Sequence, residues 1–233
     1  MRAEAYFDLR EFEHRNLFAD TEYVWEVLTR VGPYLADWFA GREGPIILGS
    51  VEPGAWLDGR QIYVGPGAVV EPGAYIRAPT IIGPGSVVRH GAYIRGNVIV
   101  GKNCVVGHGT EVKNAVLLDG AQAPHFAYVG DSILGNRVNL GAGTVLANFK
   151  FGGAPIIVTW NGRRLETGLR KFGAVLGDDV ETGCNAVLAP GTLVGPGSLV
   201  YPNATVRGVI PPRSVVKVRV QLQLEPRVER PAR

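Results

Sequence analysis

A repeat of six residues constrains the fold of this chain more than any other feature. From Val64 onward every sixth residue is aliphatic, and the members are Val64, Val70, Ile76, Ile82, Val88, Ile94, Val100, Val106, Val112 and Leu118. Four positions after each member stands a mostly small residue: Ala68, Ala74, Thr80, Ser86, Ala92, Val98, Cys104, Thr110 and Val116. A period of six belongs neither to a helix nor to simple strand alternation. A short strand and a tight corner, repeated three times per triangular coil, account for it.

Stacked coils of this kind pair each strand with the strand above it at about 4.8 Å. The sequence therefore predicts an all-β fold, a left-handed parallel β-helix, which is an exception to the usual right-handed crossover. We expect this β-helix to occupy residues 46–212, with the aliphatic residues and the small residues both facing inward.

Residues 1–45 differ from the repeat and are predicted to form an N-terminal helical cap. Apolar residues recur there at helical spacing, namely Val24, Leu28, Val31, Leu35 and Trp38. We expect this amphipathic helix to cover the open first coil, because a bare coil end exposes unpaired strand edges.

The period stops again at Asn148, and residues 150–172 form an insertion. Asn161-Gly162 lies between an apolar run that begins at Pro155 and a basic run that begins at Arg163. This pattern predicts a β-hairpin arm that projects from the prism. The arm has two interpretations, a contact between subunits of a trimer or a lid whose cations face a phosphate. Residues 213–233 are predicted to be a C-terminal strand and tail.

Composition limits the function classes. The 32 glycines and 16 prolines follow the period, so disorder is the poorer explanation for them. A net charge of +3 mildly favours small anionic ligands and is too small to indicate nucleic acid. Cys104 and Cys184 fall at different points of the repeat and predict no disulfide, which favours a cytoplasmic protein. No segment is apolar enough to predict a membrane span or a signal peptide.

The repeat loses its phase after Leu118, and function is expected where a local rule fails. Pro124 stands where an aliphatic residue is due, and His125 follows it, close in sequence to Tyr128 and Asn139. A neutral histidine there is a candidate general base. His90 and His108 are eighteen residues apart, so they are predicted to stack on one corner as exposed residues, with a zinc site as the alternative.

Three motifs at the break carry a resemblance to a known family. They are Gly107-His-Gly-Thr-Glu-Val-Lys, His125-Phe-Ala-Tyr-Val-Gly-Asp, and Asn139-Leu-Gly-Ala-Gly-Thr-Val-Leu-Ala-Asn148. Residues 64–210 resemble the acetyltransferase domain of bifunctional N-acetylglucosamine-1-phosphate uridyltransferases. The insertion and Gly183-Cys-Asn-Ala-Val-Leu-Ala-Pro-Gly resemble archaeal sugar-1-phosphate nucleotidylyltransferases with amino-sugar acetyltransferase activity.

The resemblance implies an N-acetyltransferase that moves an acetyl group from acetyl-CoA to a hexosamine 1-phosphate of gluco or galacto configuration. His125 matches the catalytic base, and no metal site is implied. The matching substrate-binding residues are Arg95 and Lys113 at the sugar phosphate, Tyr128 and Asn139 at the sugar, and Asn148 at both substrate and acetyl group. The matching positions for the CoA co-substrate are Ala142, Cys184, Pro202 and Arg219. The family also implies a homotrimer with sites between subunits.

Spacing supports part of this assignment independently, because Arg95 and Lys113 are eighteen residues apart and are predicted to stack. Two adjacent cations suit a phosphate dianion. Phe149 and Cys184 depart from the tyrosine and serine usual in the bacterial enzymes, and no nucleotidylyltransferase signature precedes the repeat. The uridyltransfer step is therefore not expected. Two alternatives remain open, a non-catalytic trimeric scaffold of nucleotide-sugar synthesis and a zinc protein resembling γ-class carbonic anhydrases.

Overall fold

The computed structural model describes residues 1–219, which form one short α-helix, four 3₁₀ turns and a stack of parallel strands. The turns are Ala3–Ala5, Arg15–Phe18, Val24–Glu26 and Phe151–Gly153, and helix α1 is Val27–Phe39. The strands, in chain order, are β1 Ile46–Ile47, β2 Ser50–Val51, β3 Trp56–Asp58, β4 Ile62–Val64, β5 Val69–Val70, β6 Tyr75–Arg77, β7 Thr80–Ile82, β8 Val87–Val88, β9 Tyr93–Ile94, β10 Val98–Val100, β11 Val105–His108, β12 Glu111–Lys113, β13 Ala115–Leu117, β14 Gln122–His125, β15 Tyr128–Gly130, β16 Ile133–Leu134, β17 Asn139–Leu140, β18 Val145–Leu146, β19 Ile157–Trp160, β20 Arg163–Glu166, β21 Ala174–Leu176, β22 Glu181–Thr182, β23 Val187–Leu188, β24 Thr192–Val194, β25 Leu199–Val200, β26 Thr205–Val206, β27 Val209–Ile210 and β28 Val215–Val216.

Every third strand of the prism joins the same sheet, as a three-sided solenoid requires. Sheet A has the order β1-β4-β7-β10-β13-β16-β21-β24-β27, and sheet B has β2-β5-β8-β11-β14-β17-β22-β25-β28. Sheet C has the order β3-β6-β9-β12-β15-β18-β23-β26 read from its first strand. The predicted left-handed parallel β-helix is thus confirmed.

The inward positions of the repeat are the ones predicted as far as Val112. Val64, Ile82 and Val100 are fully buried in the prism core, and small residues such as Ala68 and Cys104 share that core. After Val112 the prediction is wrong by one residue, because Ala115 and Leu117 point inward whereas Val116 and Leu118 join an apolar cluster outside the prism.

The register shows where this shift arises. Tyr93 pairs with Glu111, eighteen residues later, whereas Val98 pairs with Ala115, only seventeen residues later. The corner at Asn114 therefore holds one residue fewer than the corner below it. Asn114 adopts φ 45°, a conformation that asparagine tolerates better than most residues. The phase is lost at this corner, before the position inferred from the sequence.

The N-terminal segment does not cover the first coil, so that prediction is wrong. The helix instead packs along the outer face of sheet A, where Leu28, Val31 and Leu35 share a buried cluster with Ile81 and Ile99. Sheet A carries apolar residues on both faces, so its outer face requires a cover of its own. The helix supplies part of that cover.

The insertion forms the predicted hairpin, with Trp160 opposite Arg163 across the Asn161-Gly162 turn. It does not project freely, however, because Ile156, Val158 and Phe172 are buried in the cluster outside sheet A. Apolar side chains on one flank hold the hairpin against the prism. At the C-terminus β28 pairs with β25 in sheet B, and residues 220–233 of the predicted tail lie outside the described residues.

A buried carboxylate fixes the N-terminal segment to the prism. One oxygen of Asp178 accepts a hydrogen bond from the Asp8 amide at 2.8 Å, and the other accepts from the Asn136 amide at 2.7 Å. The Asn136 side chain donates in turn to the Asp8 carbonyl at 2.9 Å. These contacts join residues far apart in sequence. In residues 1–219 no helix has the length and apolar character needed to cross a membrane.

His14 should make the packing of the N-terminal segment sensitive to pH. It is buried, its Nδ1 lies 2.9 Å from the Tyr34 hydroxyl, and burial lowers its pKa below the ordinary value, with smaller opposing effects of Glu13 and Asp119. As the pH falls, this histidine is therefore protonated in the unfolded chain at a higher pH than in the folded protein. The free energy of unfolding should fall as the pH drops below about 6.5. In chemical denaturation between pH 7.5 and 5, His14→Gln should lose less of its free energy of unfolding than the natural protein does. His90→Gln, on an exposed corner, is the control, and an unchanged slope in His14→Gln would contradict the assignment.

Candidate functional site

The outer face of sheet C carries the charged part of the candidate site. Tyr93, Glu111 and Tyr128 form one column of this face, because they are partners in consecutive strands. Arg95 and Lys113 lie in the next column, one coil apart, so the two cations stack as their spacing predicts. Arg95 Nη1 contacts Glu111 Oε1 at 2.7 Å, and this ion pair raises the pKa of the guanidinium.

Asp131 organises the cationic end of this face, and sequence reasoning missed it. Its carboxylate accepts hydrogen bonds from Lys113 Nζ at 2.9 Å, Asn114 Nδ2 at 3.0 Å and Asn148 Nδ2 at 2.5 Å. Asp131 is only 4% exposed and has φ 47°. A buried carboxylate held by three donors fixes the positions of all three. The signal in the sequence that could have indicated Asp131 is its position at the same corner as Asn114, one coil later.

Gly130 leaves the space in which two candidate site residues meet. A Cβ added at Gly130 would lie 2.6 Å from the Tyr128 hydroxyl and 2.7 Å from Asn148 Nδ2. The phenol and the amide therefore share the surface above this glycine. Burial raises the pKa of Tyr128, with a further contribution from Glu111, so the phenol keeps its proton and can donate a hydrogen bond.

His125 lies at the corner between sheets B and C. It ends β14, it is exposed, and it pairs in register with His108 of the coil below. Lys113 pairs with Gly130, which is five residues after His125 in the chain. His125 therefore lies at one end of the strands of sheet C, and the two cations lie at the other end. Tyr128 starts between them and reaches toward the cations. Tyr128, Arg95 and Lys113 therefore share one face of sheet C, and His125 lies at the corner that precedes this face.

The other corner histidines stack as predicted. The rings of His90 and His108 are 5.6 Å apart and 10° from parallel. Their Nδ1 atoms lie 2.6 Å from the Pro72 carbonyl and 2.9 Å from the His90 carbonyl, so each Nδ1 carries the proton. Within residues 1–219 no group of three or more histidine, cysteine or acidic side chains is placed to hold a metal ion.

Three of the predicted CoA residues form a column above His125. The Gly143 amide donates to the His125 carbonyl at 3.0 Å, the Asn185 amide to the Ala142 carbonyl at 2.8 Å, and the Asn203 amide to the Cys184 carbonyl at 2.9 Å. Ala142, Cys184 and Pro202 therefore occupy successive coils of one corner. Close packing maintains the column, since a Cβ at Gly183 would lie 2.4 Å from the Pro202 nitrogen.

The remaining two predicted residues lie apart from the sheet C cluster. Asn139 is exposed on sheet B, in register with Gln122 below and Glu181 above. Arg219 is exposed and is the last described residue, past the end of β28. A ligand that contacts either of them must extend around the corner from sheet C.

Comparison with known proteins places these features in a class and then in a family. Stacked hexapeptide coils with a polar face and a corner column define a hexapeptide-repeat β-helix protein. Residues 76–210 match the model of the GMPPB C-terminal domain, which is more than half of the chain. The chain therefore belongs to the GMPPB C-terminal domain family.

Curated relatives share a shorter segment. The bifunctional sugar-1-phosphate nucleotidylyltransferase/acetyltransferase of Sulfurisphaera tokodaii is 42% identical over 81 residues, or 35% of this chain and 20% of that protein. Bifunctional protein GlmU of Methanococcus vannielii is 41% identical over 81 residues, or 35% of this chain and 19% of that protein. The GlmU of Methylibium petroleiphilum is 42% identical over 34% of this chain and 14% of its own length. The match thus spans at most a fifth of these relatives.

Proposed function

We propose that this protein is an acetyl-CoA-dependent N-acetyltransferase that acts on a hexosamine 1-phosphate. The observation that carries the proposal is the meeting of two features at one corner. The column of Ala142, Cys184 and Pro202 ends on His125, and His125 borders the face that holds Arg95 and Lys113. The names of the relatives, which include an acetyltransferase acting beside a sugar-1-phosphate nucleotidylyltransferase, support the same reaction class.

In this proposal the acceptor lies across the outer face of sheet C. Its phosphate binds Arg95 and Lys113, which can each give charge-assisted hydrogen bonds. Two residues of strand, about 6.6 Å, separate the Lys113–Gly130 pair from the Glu111–Tyr128 pair. The sugar ring lies along that distance, in contact with Tyr128 and Asn148. Its amino group is on the carbon next to the phosphate-bearing carbon, so the ring must bind with that carbon facing the His125 corner. Asn139 binds from sheet B, beyond the corner.

His125 acts as the general base. Its imidazole takes a proton from the substrate amine as the nitrogen forms a bond to the thioester carbonyl carbon. The Ala142 amide, which makes no backbone hydrogen bond within residues 1–219, then donates to the carbonyl oxygen as that oxygen becomes negative. The carbon–sulfur bond breaks, the imidazolium returns the proton to the leaving thiolate, and the products are free CoA and the N-acetylated sugar phosphate.

The co-substrate fits the corner column by shape and chemistry. Ala142 and Cys184 are small, and the close-packed glycines beside them leave backbone atoms near the surface. Pro202 extends this path by one coil, and Arg219 is a candidate cation for the CoA phosphates. An exposed His125 corner also leaves room for a neighbouring chain, and a cytoplasmic homotrimer is part of this proposal.

One observation favours the alternative of a non-catalytic scaffold. Arg95 and Lys113 both contact carboxylates of their own chain, Glu111 and Asp131, which partly neutralise the proposed phosphate site. Calorimetry separates the two functions. Binding of both acetyl-CoA and glucosamine 1-phosphate or galactosamine 1-phosphate, followed by thiol release, supports the transferase, whereas binding of neither supports the scaffold.

Removing the positive charge of Lys113 should raise the KM for the sugar phosphate about 10- to 100-fold, because one charge-assisted hydrogen bond contributes about 1.5–3 kcal/mol. Lys113→Gln is the suitable variant, since its amide still donates to Asp131 and the KM for acetyl-CoA should change little. Lys102→Gln is the matched control, because the ammonium of Lys102 contacts the Glu11 carbonyl at another corner of the prism. Equal KM values for Lys113→Gln and Lys102→Gln in a thiol-release assay would exclude Lys113 from the phosphate site.

A further inference from the structure

The outer face of sheet C continues below Arg95 as a strip of exposed aromatic and charged residues. Trp56, Tyr75 and Tyr93 are direct partners in β3, β6 and β9, and they are 66%, 38% and 36% exposed. The rings of Tyr75 and Tyr93 meet edge to face, with centroids 5.7 Å apart. Three large aromatic side chains in register at the surface are not used by the proposed acetyl transfer.

Charged residues line the strip on the side of the phosphate-binding pair. Asp58 and Arg77 are partners in β3 and β6, in the column that continues upward to Arg95 and Lys113. Asp58 Oδ2 accepts a hydrogen bond from the Tyr75 hydroxyl at 3.0 Å and contacts Arg77 Nε at 3.3 Å. We refer to Trp56, Asp58, Tyr75, Arg77 and Tyr93 as the aromatic strip.

Part of the aromatic strip lines a shallow depression that is open to solvent. Asp58, Tyr75, Arg77 and Tyr93 line this depression, which has a volume of about 500 Å³, so a ligand can lie along it and remain partly exposed. Two coil spacings, or about 10 Å, separate the strand of Tyr75 from the strand of Lys113. A ligand that contacts both must therefore be longer than a sugar phosphate.

The chemistry of the strip fits the three parts of a nucleoside diphosphate. An aromatic ring at the surface stacks on a nucleobase. A carboxylate accepts hydrogen bonds from the two hydroxyls of a ribose, as the acidic residue of dinucleotide-binding folds does. Arginine and lysine side chains in one column suit a diphosphate. Trp56 and Asp58 lie two residues apart in the outermost strand, and Arg77 and Arg95 follow in the next two coils toward Lys113. A base on Trp56, a ribose at Asp58 and phosphates at Arg77 and Arg95 therefore follow one path.

We propose that the aromatic strip binds the nucleoside part of a nucleoside diphosphate sugar, with the diphosphate on Arg77 and Arg95 and the sugar toward Tyr128. The proposal shares Arg95 with the acceptor site described above, so it rests in part on that site. It does not depend on acetyl transfer, because nucleotide binding needs no acetyl donor. The strip provides stacking surfaces and no fixed array of base-reading groups, so uridine and guanosine diphosphates should both bind.

Calorimetry on the full chain without acetyl-CoA tests this, with UDP, GDP, uridine and inorganic pyrophosphate as probes. UDP should bind at least tenfold more tightly than pyrophosphate or uridine. Only UDP carries both a nucleoside for the aromatic part of the site and a diphosphate for its arginines. Trp56→Ala should weaken UDP binding about 5- to 100-fold and leave pyrophosphate binding unchanged, whereas Trp56→Phe keeps an aromatic ring and should stay within about threefold. Arg77→Gln should weaken UDP binding, and Arg137→Gln is its matched control, since Arg137 forms a similarly exposed ion pair with Asp179.

Competition identifies the place where the nucleotide binds. Saturating CoA should leave UDP binding unchanged, while glucosamine 1-phosphate should reduce it. Displacement of UDP by CoA, or equal UDP affinity in Trp56→Ala and the natural protein, would overturn the proposal. Failure of thiol release with normal UDP binding would reject only the proposed acetyl transfer, so the two outcomes are distinguishable.

Discussion

Replacing His125 by alanine should lower kcat for acetyl transfer by about 10²- to 10⁴-fold, which is the usual contribution of a general base. The side chain is exposed at a corner and ends a strand, so its loss should leave the fold intact. The KM values for both substrates should change little, because the imidazole acts on the proton and does not hold the phosphate or the CoA. Thiol release measured at saturating substrates gives kcat directly.

His108→Ala is the matched control for His125→Ala. The two histidines are partners in adjacent strands, and both are exposed at the same corner. His108, however, stacks on His90 and bonds a backbone carbonyl, one coil further from the CoA column. Its removal should change kcat less than about threefold. Activity that survives in His125→Ala, or that is lost equally in both variants, would reject His125 as the base.

The repeat made most of the fold predictable because its information is local and periodic. Each coil repeats the same physical problem, an aliphatic side chain inside and a tight corner, so the positions from Val64 to Val112 follow from one rule. The shift at Asn114 could not be predicted from the sequence. Leu117 and Leu118 are both apolar, so either of them could point inward, and a coil with one residue fewer leaves the apolar pattern intact. Only the pairing in space decides which of them points inward.

The position of the N-terminal helix could not be read from its own sequence either. Amphipathic spacing shows that one face of the helix is buried, but it does not show what covers that face. The signal lay in sheet A, whose strands read as continuous apolar runs such as Val98-Ile99-Val100, in contrast to the strands of sheet C. A strand that is apolar on both faces needs a second layer, and the helix and the hairpin provide it.

For the candidate site, spacing and resemblance predicted residues but not their interactions. The eighteen-residue interval placed Arg95 above or below Lys113, and that arrangement is present. Asp131 was missed because an acidic residue at a corner carries no sequence signal that separates it from a solvated turn. Its importance follows from burial and from its three donors, which only the folded chain reveals.

Replacing Gly107 by alanine should destabilise the protein by about 4 kcal/mol or more, which is among the largest effects of single substitutions. Gly107 lies in β11 directly beside Pro124 of the next coil, and an added Cβ would be 1.7 Å from the Pro124 carbonyl oxygen. Both partners are backbone of stacked strands, so neither can rotate away as a side chain would. The coils must separate at this point, which breaks hydrogen bonds between β11 and β14.

Gly32→Ala is the control, because it adds the same methyl group in a place with room for it. Gly32 lies inside α1, and the nearest atom to an added Cβ is Asn97 Oδ1 at 3.5 Å. This variant should stay within about 1 kcal/mol of the natural protein, because the gain of about 0.5–1 kcal/mol from replacing a helical glycine is offset by crowding of the new Cβ against the ring of Pro33. Urea denaturation measures both, and similar stabilities for the two variants would contradict the packing argument. Because Pro124 precedes His125, any Gly107→Ala protein that still folds should also lose acetyl transfer, and its loss of kcat would show that the close stacking of coils positions the base.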